Sequence, residues 1–455
     1  MELDMTKGKP LSLIIKFTVP VIMGCLFQQL YNTVDTIIVG QFVGVGALAA
    51  VGSTGTIMFL ILGFVSGLTA GFTVLTAQRY GAGDEKGLKR SVGNAAVLSL
   101  IISIVITLIS IVFMKDLLTV MNTPSDIFGQ AYEYIVIICA GIICNVVYNM
   151  SASVLRAIGN SKVPLYFLVV SVVINCVCDL VFIINFKMGV AGAAYATVLA
   201  QGISGVLCFI YIWKKVPLLH PGRENMRIHG DDTRVQLGIG LPMALQFSIT
   251  AIGAILVQAA LNMLGSVAVA AYTAAGKVEQ LLTQPFMAIG TTMSTYAAQN
   301  IGIGDLKRVR EGTKAAAILT YIYAAAAGIA AVLVIRYVIV LFVSGDNVAA
   351  VTEYAVTYIK IVSIFFIPLG AIFVYRNVLQ GEGYAFAPMF AGVVELLART
   401  VVAFVAAYFK SFEGVCMANV AAWVAAGVYL WIAYEILMRR AEKKRDAIHN
   451  QDAGI

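Results

Sequence analysis

The sequence predicts an all-α polytopic membrane protein with twelve transmembrane helices in two six-helix lobes related by pseudo-twofold symmetry. Three observations predict this fold class. Hydrophobic residues make up 60% of the 455 residues and charged residues only 12%, whereas soluble proteins carry about 25% charged residues. Apolar runs long enough to cross a bilayer recur from Leu11 to Leu437, with short polar gaps between them. The two halves of the chain also repeat each other in register.

Each apolar run is predicted to be a helix, because a chain inside lipid has to satisfy its own backbone hydrogen bonds. The runs centre near Gly24, Leu62, Ile102, Cys144, Ile174, Gly202, Ala251, Thr283, Gly328, Phe365, Val401 and Ala425. In the second run, Gly63, Gly67 and Gly71 recur every four residues and therefore lie on one helix face. Small residues at this spacing predict that another helix packs closely against that face.

The net charge of +7 has a distribution typical of membrane proteins rather than of nucleic-acid binders. Most Lys and Arg lie in alternate connections and in the C-terminal tail. The opposite connections hold only Lys115, Lys187, Arg336, Lys360 and Lys410. Because positive residues favour the cytoplasmic side, we predict a multi-pass protein of a bacterial-type inner membrane with both termini in the cytoplasm. The lipid bilayer is an expected partner, and nucleic acid is not.

The internal repeat is clearest in two loops, QRYGAGD at 78–84 and QNIGIGD at 299–305, which lie 221 residues apart. Pro20 matches Pro242 at an offset of 222. Each half contributes six predicted spans. Because six is an even number, both halves enter the membrane from the same side, as in transporters built from parallel repeats. The predicted domains are an N-terminal lobe at 1–213, a cytoplasmic linker at 214–236, a C-terminal lobe at 237–438 and a basic cytoplasmic tail at 439–455.

The repeat fails at a set of polar residues inside the predicted spans. Asp35 aligns with Val257, Asn175 with Arg399, Asp179 with Ala403 and Thr197 with Asn419. A carboxylate near the bilayer centre costs about 2.5 to 3.5 kcal/mol on insertion scales, and such residues usually have a function. Since the scaffold is duplicated and these residues are not, we interpret them as a site that only the first half contains.

Asp35, Asn175, Asp179 and Thr197 are the candidate cation-binding or proton-coupling residues. Asn175 and Asp179 are four residues apart and face one side of the fifth span, and a short turn brings Thr197 in the sixth span back along it. Their oxygens suit Na⁺, and two nearby carboxyls can share a proton. The sequence leaves the two ions open. Apart from Na⁺, it predicts no metal and no cofactor, because its seven cysteines lie in apolar runs and its three histidines in polar segments.

Five further residues are candidates for supporting the site or lining a substrate cavity. Gln28 and Asn32 precede Asp35 at helical spacing and extend its polar stripe, while Tyr148, Met150 and Glu279 are candidates for cavity residues. Tyr148 and Met150 are also readily explained as packing. Glu279 is explained equally well as an acid satisfied by its neighbours. For Glu395 and Arg399, four residues apart in the eleventh span, we expect a mutual ion pair.

These features together resemble the multidrug and toxic compound extrusion (MATE) family. The match is carried by PVIMGCLFQQLYNTVDTIIVGQFVG in the first span, the two GxGD loops, LRAIGNSKVP after the fourth span, INCVCDL in the fifth and GVVELLAR in the eleventh. The resemblance implies a V-shaped monomer of two lobes around a central cavity. It also implies export of organic cations and drugs, driven by Na⁺ or H⁺ entry.

The resemblance also bears on the site. Prokaryotic relatives with a cation site in the N-terminal lobe have an acid in the first helix, Asn and Asp in the fifth and a hydroxyl in the sixth, which look like Asp35, Asn175, Asp179 and Thr197. Other branches of the family use carboxylates in the tenth helix. Here the tenth span has none after Glu353, so a site in the C-terminal lobe would depend on Glu279.

Several other functions are compatible with a polytopic membrane protein. A flippase for lipid-linked saccharides is the main alternative, since bundles of the same superfamily carry such substrates. A membrane-embedded enzyme is a remote alternative, because no catalytic motif is present, and we expect no enzyme activity. No phosphate-binding G-x-x-x-x-G-K-[ST] motif of an ATP-driven pump occurs. The sequence therefore favours a secondary transporter.

Overall fold

The computed structural model of the protein describes residues 3–339 and 348–452, and the last residues of the predicted tail, 453–455, lie outside these ranges. Within them the chain forms α-helices without β-strands. The first seven helices are α1 (Pro10–Phe42), α2 (Val45–Gly81), α3 (Glu85–Val120), α4 (Ser125–Ala140), α5 (Ile142–Ala157), α6 (Lys162–Leu180) and α7 (Gly189–Lys215). The next seven are α8 (Gly230–Asn262), α9 (Ser266–Gly302), α10 (Leu306–Ile339), α11 (Val348–Ile364), α12 (Phe366–Gly381), α13 (Phe386–Tyr408) and α14 (Phe412–Asp452).

The predicted twelve spans are confirmed, with a difference in how two of them are built. Nine single helices in the described part are long and apolar enough to cross a membrane. Two more spans are bent pairs, α4 with α5 at 47° and α11 with α12 at 50°. The twelfth is α9, which is 37 residues long but does not reach the same apolarity. Within eight positions, this helix carries the polar residues Lys277, Glu279, Gln280 and Gln284. We infer that packing against other helices, rather than contact with lipid, stabilises this span.

The structure shows why the two GxGD loops repeat. Gly83 and Gly304 adopt φ angles of 69° and 72°, a left-handed conformation that favours glycine after a helix end. The next residue then caps the following helix. Asp84 accepts a hydrogen bond from the Gly87 amide, and Asp305 accepts one from the Arg308 amide, each at 2.9 Å. The duplicated motif therefore forms a tight turn that ends one helix and caps the next.

The chain forms two compact units. Unit 1 consists of Val19–Ser248 with the residues before Met5, and unit 2 consists of Met5–Thr18 and Ile249–Ile455. The first nine residues of α1 therefore group with unit 2, and the first nineteen of α8 group with unit 1. These units are defined by contacts, whereas the predicted boundaries at residues 213 and 237 follow from the repeat and stay a prediction.

The predicted close packing on α2 is present inside unit 1. Its partner is the first part of α8. A Cβ atom added at Gly67 would lie 2.8 Å from the Ala244 Cα, and one added at Gly71 would collide with the backbone of Gly240. The two helices thus approach so closely that neither glycine position has room for a side chain.

Replacement of Gly71 by alanine is expected to lower the free energy of unfolding by about 1 to 3 kcal/mol, the usual cost of overpacking. The measurement is thermal unfolding of the purified protein in detergent. Gly55→Ala on the same helix is the matched control, since nothing lies within 4 Å of its added Cβ. Alanine there should be neutral or stabilising by up to about 1 kcal/mol. Equal losses for both variants would contradict the close approach.

The turn after α12 buries a carboxyl group of unit 2. Glu382 lies between α12 and α13, and its Oε1 has no hydrogen-bond donor among the described residues. Burial raises the pKa of Glu382 from its ordinary value to about 8. The folded protein therefore keeps a proton on this group at pH values where the unfolded chain has lost it. Stability is highest below the unfolded pKa and falls as the pH rises toward 8.

Replacement of Glu382 by glutamine is expected to remove this loss. The variant should unfold at a higher temperature than the wild type at pH 9 and at a similar temperature at pH 5, because only the ionised carboxyl is penalised. Thermal scans at both pH values measure the difference. The exposed Glu353, substituted in the same way, should give no pH-dependent gain. A Glu382→Gln gain of equal size at both pH values would show that burial of the charge is not its cause.

Candidate ion-binding site

Asp35 and Asp179 form a buried pair of carboxyl groups in unit 1. Asp35 on α1 is 8% exposed and Asp179 near the end of α6 is 0% exposed. The two carboxyls lie within hydrogen-bonding reach of each other. Even so, Asp35 Oδ1 and both Asp179 oxygens lack a donor among the described residues. Because an ionised carboxylate only accepts hydrogen bonds, the pair needs a proton or a cation between its members.

Asn175 and Thr197 complete the set that the sequence predicted. Asn175 lies one helical turn before Asp179, is fully buried, and its amide oxygen and nitrogen have no partner in the described part of the chain. Thr197 on α7 is buried and its hydroxyl lies next to that of Tyr31. Tyr31 in turn lies near Asp35 and Asp179. The structure therefore brings α1, α6 and α7 together at one place.

The local structure of α6 explains how its side chains are held there. Directly after Leu180 the helix widens into a π-helical turn, Val181–Asn185. Such turns are rare and often lie at functional sites. A short connection then leads to Gly189, where α7 begins and packs along α6. An apolar cluster that includes Ile38, Ile183 and Val190 closes around this region.

Two tyrosines belong to the site although the sequence analysis missed them. Tyr31 precedes Asp35 by four residues, so helical spacing places both on the same face of α1. Tyr134 on α4 is 2% exposed and lies near Tyr31, Asp35 and Asp179. The spacing of residues could have identified Tyr31. Tyr134 comes from a distant helix, and only its match to Tyr358 in the repeat singles it out.

The donor set fits a hard monovalent cation as well as a proton. Two carboxylates and the Asn175 amide supply oxygens that no other described group engages, and hard cations bind oxygen ligands. The Thr197 and Tyr31 hydroxyls can orient toward either species. A proton bound by one aspartate would instead give that carboxyl an O–H group, which can donate a hydrogen bond to the other carboxylate. The arrangement thus accommodates Na⁺ or H⁺ by the same oxygens.

Gln28 and Asn32 lie on α1 with Asp35, and their role in supporting the site or lining a substrate cavity stays a prediction. Asn32 is exposed, and its amide donates to Gln29 Oε1 at 3.3 Å. Gln28 is half-buried, and its spacing of seven residues places it within about 20° of Asp35 around the helix, whereas Asn32 lies about 60° away. Tyr31 is an α1 neighbour that lies near the carboxyl pair.

Tyr148 and Met150 pack inside unit 1. The Tyr148 hydroxyl donates to the Pro164 carbonyl at 3.3 Å. Met150 is buried in a core cluster, where the Ser99 hydroxyl donates to its sulfur at 3.6 Å. These contacts match the packing explanation that the sequence left open for both residues.

In unit 2 Glu279 has a specific partner. Its carboxylate accepts a short hydrogen bond from the hydroxyl of Tyr358 on α11. The expected Glu395–Arg399 pair is also present, but the two charges are 4.0 Å apart. The closer partner of Glu395 is Arg376 on α12, which bonds its other oxygen. Sequence spacing within α13 could not identify a partner on another helix.

Comparison with known proteins gives a consistent family assignment. The MatE family model matches residues 20–181 and again 242–405. The two matches begin at Pro20 and Pro242, the residues that align the two halves, which confirms the predicted repeat. The chain is 31% identical over 382 residues to the probable multidrug resistance protein YpnP of Bacillus subtilis, covering 84% of each chain. It is 23% identical over 400 residues to the probable multidrug resistance protein NorM of Thermotoga maritima, covering 86% of this chain and 84% of that one.

Solved structures agree with the fold. A MATE crystal structure in complex with MaL6 has a TM-score of 0.91 at 21% identity and covers 97% of this chain and 99% of its own. A MOP superfamily transporter from Pyrococcus furiosus also scores 0.91 at 21% identity, covering 97% and 98%. Two matches to the family model that together span most of the chain, and a relative above 30% identity, establish that this protein belongs to the MatE family of multidrug and toxic compound extrusion transporters.

Proposed function

We propose that this protein is a secondary active efflux antiporter of a bacterial-type inner membrane. It exports small organic cations in exchange for Na⁺ or H⁺, with both termini in the cytoplasm. Asp35, Asn175, Asp179 and Thr197 bind the coupling ion, and Tyr31 and Tyr134 complete its surroundings. The observation that carries the proposal is the carboxyl pair of Asp35 and Asp179, buried inside a membrane span without a donor.

The charge of this pair supplies a physical basis for coupling. Two ionised aspartates are too costly to enclose in a low-dielectric interior without a counter-charge. An ion that binds between them removes that cost, so the loaded site can be enclosed and can change the side of the membrane it faces. The empty site must stay in contact with water. Transitions without an ion or a cationic substrate are therefore disfavoured, which is the requirement for tight exchange.

A bound organic cation supplies the same counter-charge by another route. With a positive substrate nearby, the ionised pair is stabilised electrostatically and no longer needs Na⁺ or H⁺. Either the ion or the substrate then permits the transition, but the two compete. Competition of this kind is reciprocal, so substrate binding weakens ion binding by the same factor.

The proposed substrate class rests on the names of the relatives and on the negative charge of the site. Several relatives are named multidrug resistance proteins, and an acidic site favours cations. One more distant relative, 22% identical over 306 residues, is an FAD transporter of Shewanella oneidensis. Its anionic substrate would need a different charge arrangement. Flipping of lipid-linked saccharides remains the alternative function.

The test is transport of ethidium, a fluorescent organic cation, in everted membrane vesicles that contain the protein. A Na⁺ gradient and an H⁺ gradient are imposed separately, and vesicles without the protein are the control. We expect ethidium accumulation under one of the gradients, which identifies the coupling ion. No accumulation under either gradient would contradict the proposal, and assays with FAD and with a lipid-linked saccharide would then distinguish the alternatives.

A further inference from the structure

The last helix is longer than its place in the repeat requires. Helix α7 ends at Lys215, which matches Leu437 at the offset of 222, whereas α14 continues as a helix to Asp452. A helix needs about 20 residues to cross the hydrocarbon core of a bilayer, and α14 has 41. The helical extension after Leu437 is therefore an addition to the duplicated scaffold.

This extension begins with basic residues on one face of α14. Ile432 and Ile436 are exposed apolar residues near the end of the span, so this face of the helix contacts lipid. Arg439, Arg440 and Lys443 are also exposed and follow Ile436 by three, four and seven residues. Residues at these spacings lie on one side of a helix. The lipid-facing stripe thus continues directly into three positive charges, which we call the basic face.

The acidic residues of the same segment are bound inside unit 2. The Arg310 guanidinium on α10 lies 3.4 Å from the Glu435 carboxylate and 3.7 Å from the Glu442 carboxylate, and both acids are half-buried. Arg439 also lies 3.8 Å from Glu435, but its side chain stays 73% exposed. The contacts with α10 turn the acids toward the rest of unit 2. The basic face therefore points outward.

The basic face lies at the depth of the lipid headgroups. At 1.5 Å per residue, Arg439 and Lys443 lie about 5 and 10 Å beyond Ile436 along the helix axis, and the polar layer of a bilayer adds about 5 to 7 Å on each side of the hydrocarbon core. Helical side chains lean toward the N-terminus of their helix, which for α14 is the direction back into the membrane. Long basic side chains also extend their charged ends to the interface. All three charges can therefore reach lipid phosphates.

We propose that the basic face of α14 binds the headgroups of anionic phospholipids. A guanidinium forms paired hydrogen bonds with a phosphate group, and the Lys443 ammonium adds a point charge. Basic clusters directly beyond a membrane span are attracted to anionic lipid surfaces. Phosphatidylglycerol has the required net negative charge, whereas the choline group of phosphatidylcholine offsets its phosphate. This binding is independent of the ion and the substrate that the protein transports.

The experiment is native mass spectrometry of the purified full-length protein in a nonionic detergent, with equal amounts of phosphatidylglycerol and phosphatidylcholine of the same acyl chains. We expect the wild type to prefer phosphatidylglycerol and the variant Arg439→Gln/Arg440→Gln/Lys443→Gln to lose most of this preference. One basic residue near an anionic surface corresponds to about fivefold in affinity, so the three substitutions together should weaken binding by up to about 100-fold. Equal binding of both lipids by the wild type, or an unchanged preference in the variant, would overturn the proposal.

Two single substitutions distinguish the basic face from positive charge in general. Lys443→Gln should weaken phosphatidylglycerol binding about fivefold. Arg445→Gln is the matched control, because Arg445 lies about 200° around the helix from Lys443 and donates a hydrogen bond of 3.2 Å to Asp446. This control removes the same charge and should leave lipid binding almost unchanged. Equal losses for the two variants would show that the position of the charge is irrelevant and would contradict the assigned face.

Competition with glycerol 3-phosphate distinguishes a lipid headgroup from a soluble anion. This compound carries a phosphate group but lacks the acyl chains that hold the lipid phosphate beside the span. We expect phosphatidylglycerol to stay bound at an equal concentration of the competitor. Displacement would assign the basic face to a soluble phosphate ligand and overturn the lipid assignment. The measurement requires no transport, so failure to export ethidium would refute the proposed function and leave this test intact.

Discussion

Replacing Asp35 or Asp179 by asparagine is expected to abolish ion-driven efflux while leaving the protein folded. Each substitution keeps the size of the side chain and removes one of two carboxylates that have no other partner. Breaking a buried charge contact typically costs about 3 kcal/mol or more. We therefore expect the affinity for the coupling ion to fall by about 100-fold, since 1.4 kcal/mol corresponds to tenfold.

The measurement is ethidium efflux under the gradient that drives the wild type. Asp116→Asn is the matched control, because Asp116 belongs to the same unit but is exposed on α3. Its efflux should equal that of the wild type. Thermal unfolding in detergent verifies that the Asp35 and Asp179 variants are intact. Full efflux by both of these variants would rule out the carboxyl pair as the coupling site.

Replacing Asp232 by alanine is expected to cause the largest loss of stability, about 3 kcal/mol. Asp232, in the first turn of α8, is buried within unit 1 and is bound by both Arg79 and Arg90. Removing one partner from a buried ion pair costs about 3 to 5 kcal/mol, because the remaining charge has lost both water and partner. The lower end applies here, since the Arg90 side chain is 41% exposed and can be hydrated.

Unfolding by denaturant in mixed micelles measures this loss. The exposed pair of Arg336 and Glu353, whose side chains are 62% and 69% exposed, supplies the control. Glu353→Ala should change stability by less than about 1 kcal/mol, as exposed ion pairs usually do. Asp232→Asn should retain part of the wild-type stability through its remaining oxygen. If Asp232→Ala and Glu353→Ala had the same small effect, the buried pair would not stabilise unit 1.

Much of the fold was predictable because membrane spans and repeats leave strong sequence patterns. Apolar length identifies a span without knowledge of its partners, and the GxGD motif repeats because both copies form the same capped turn. The polar helix α9 was predicted as one of the apolar runs, centred near Thr283, although it is less apolar than the other spans. The bend at Phe365 lies three residues before Pro368, which cannot donate a hydrogen bond to the Ile364 carbonyl and is a signal in the sequence. The matched bend at Gly141 has no proline beside it.

The candidate site was predictable where helical spacing carries the information. Asn175 and Asp179 are four residues apart, and their burial near Asp35 follows from the cost of exposing them to lipid. Contacts between distant helices were not predictable in the same way. Tyr134, and Arg376 as the closer partner of Glu395, come from other spans. The supporting roles of Gln28 and Asn32 stay predictions, because helical spacing alone does not show which groups a side chain contacts.

Proteoliposomes that contain an ethidium gradient and no initial ion gradient test the central claim most directly. If the Asp35–Asp179 pair exchanges an ion for an organic cation, ethidium moving down its gradient must drive that ion in the opposite direction, against its own gradient. A sodium-sensitive and a pH-sensitive dye report the movement. We expect uphill movement of one ion in the wild type and none in the Asp35→Asn/Asp179→Asn variant. Ethidium flow without ion movement in the wild type, or ion movement that persists in the variant, would contradict coupling through this pair.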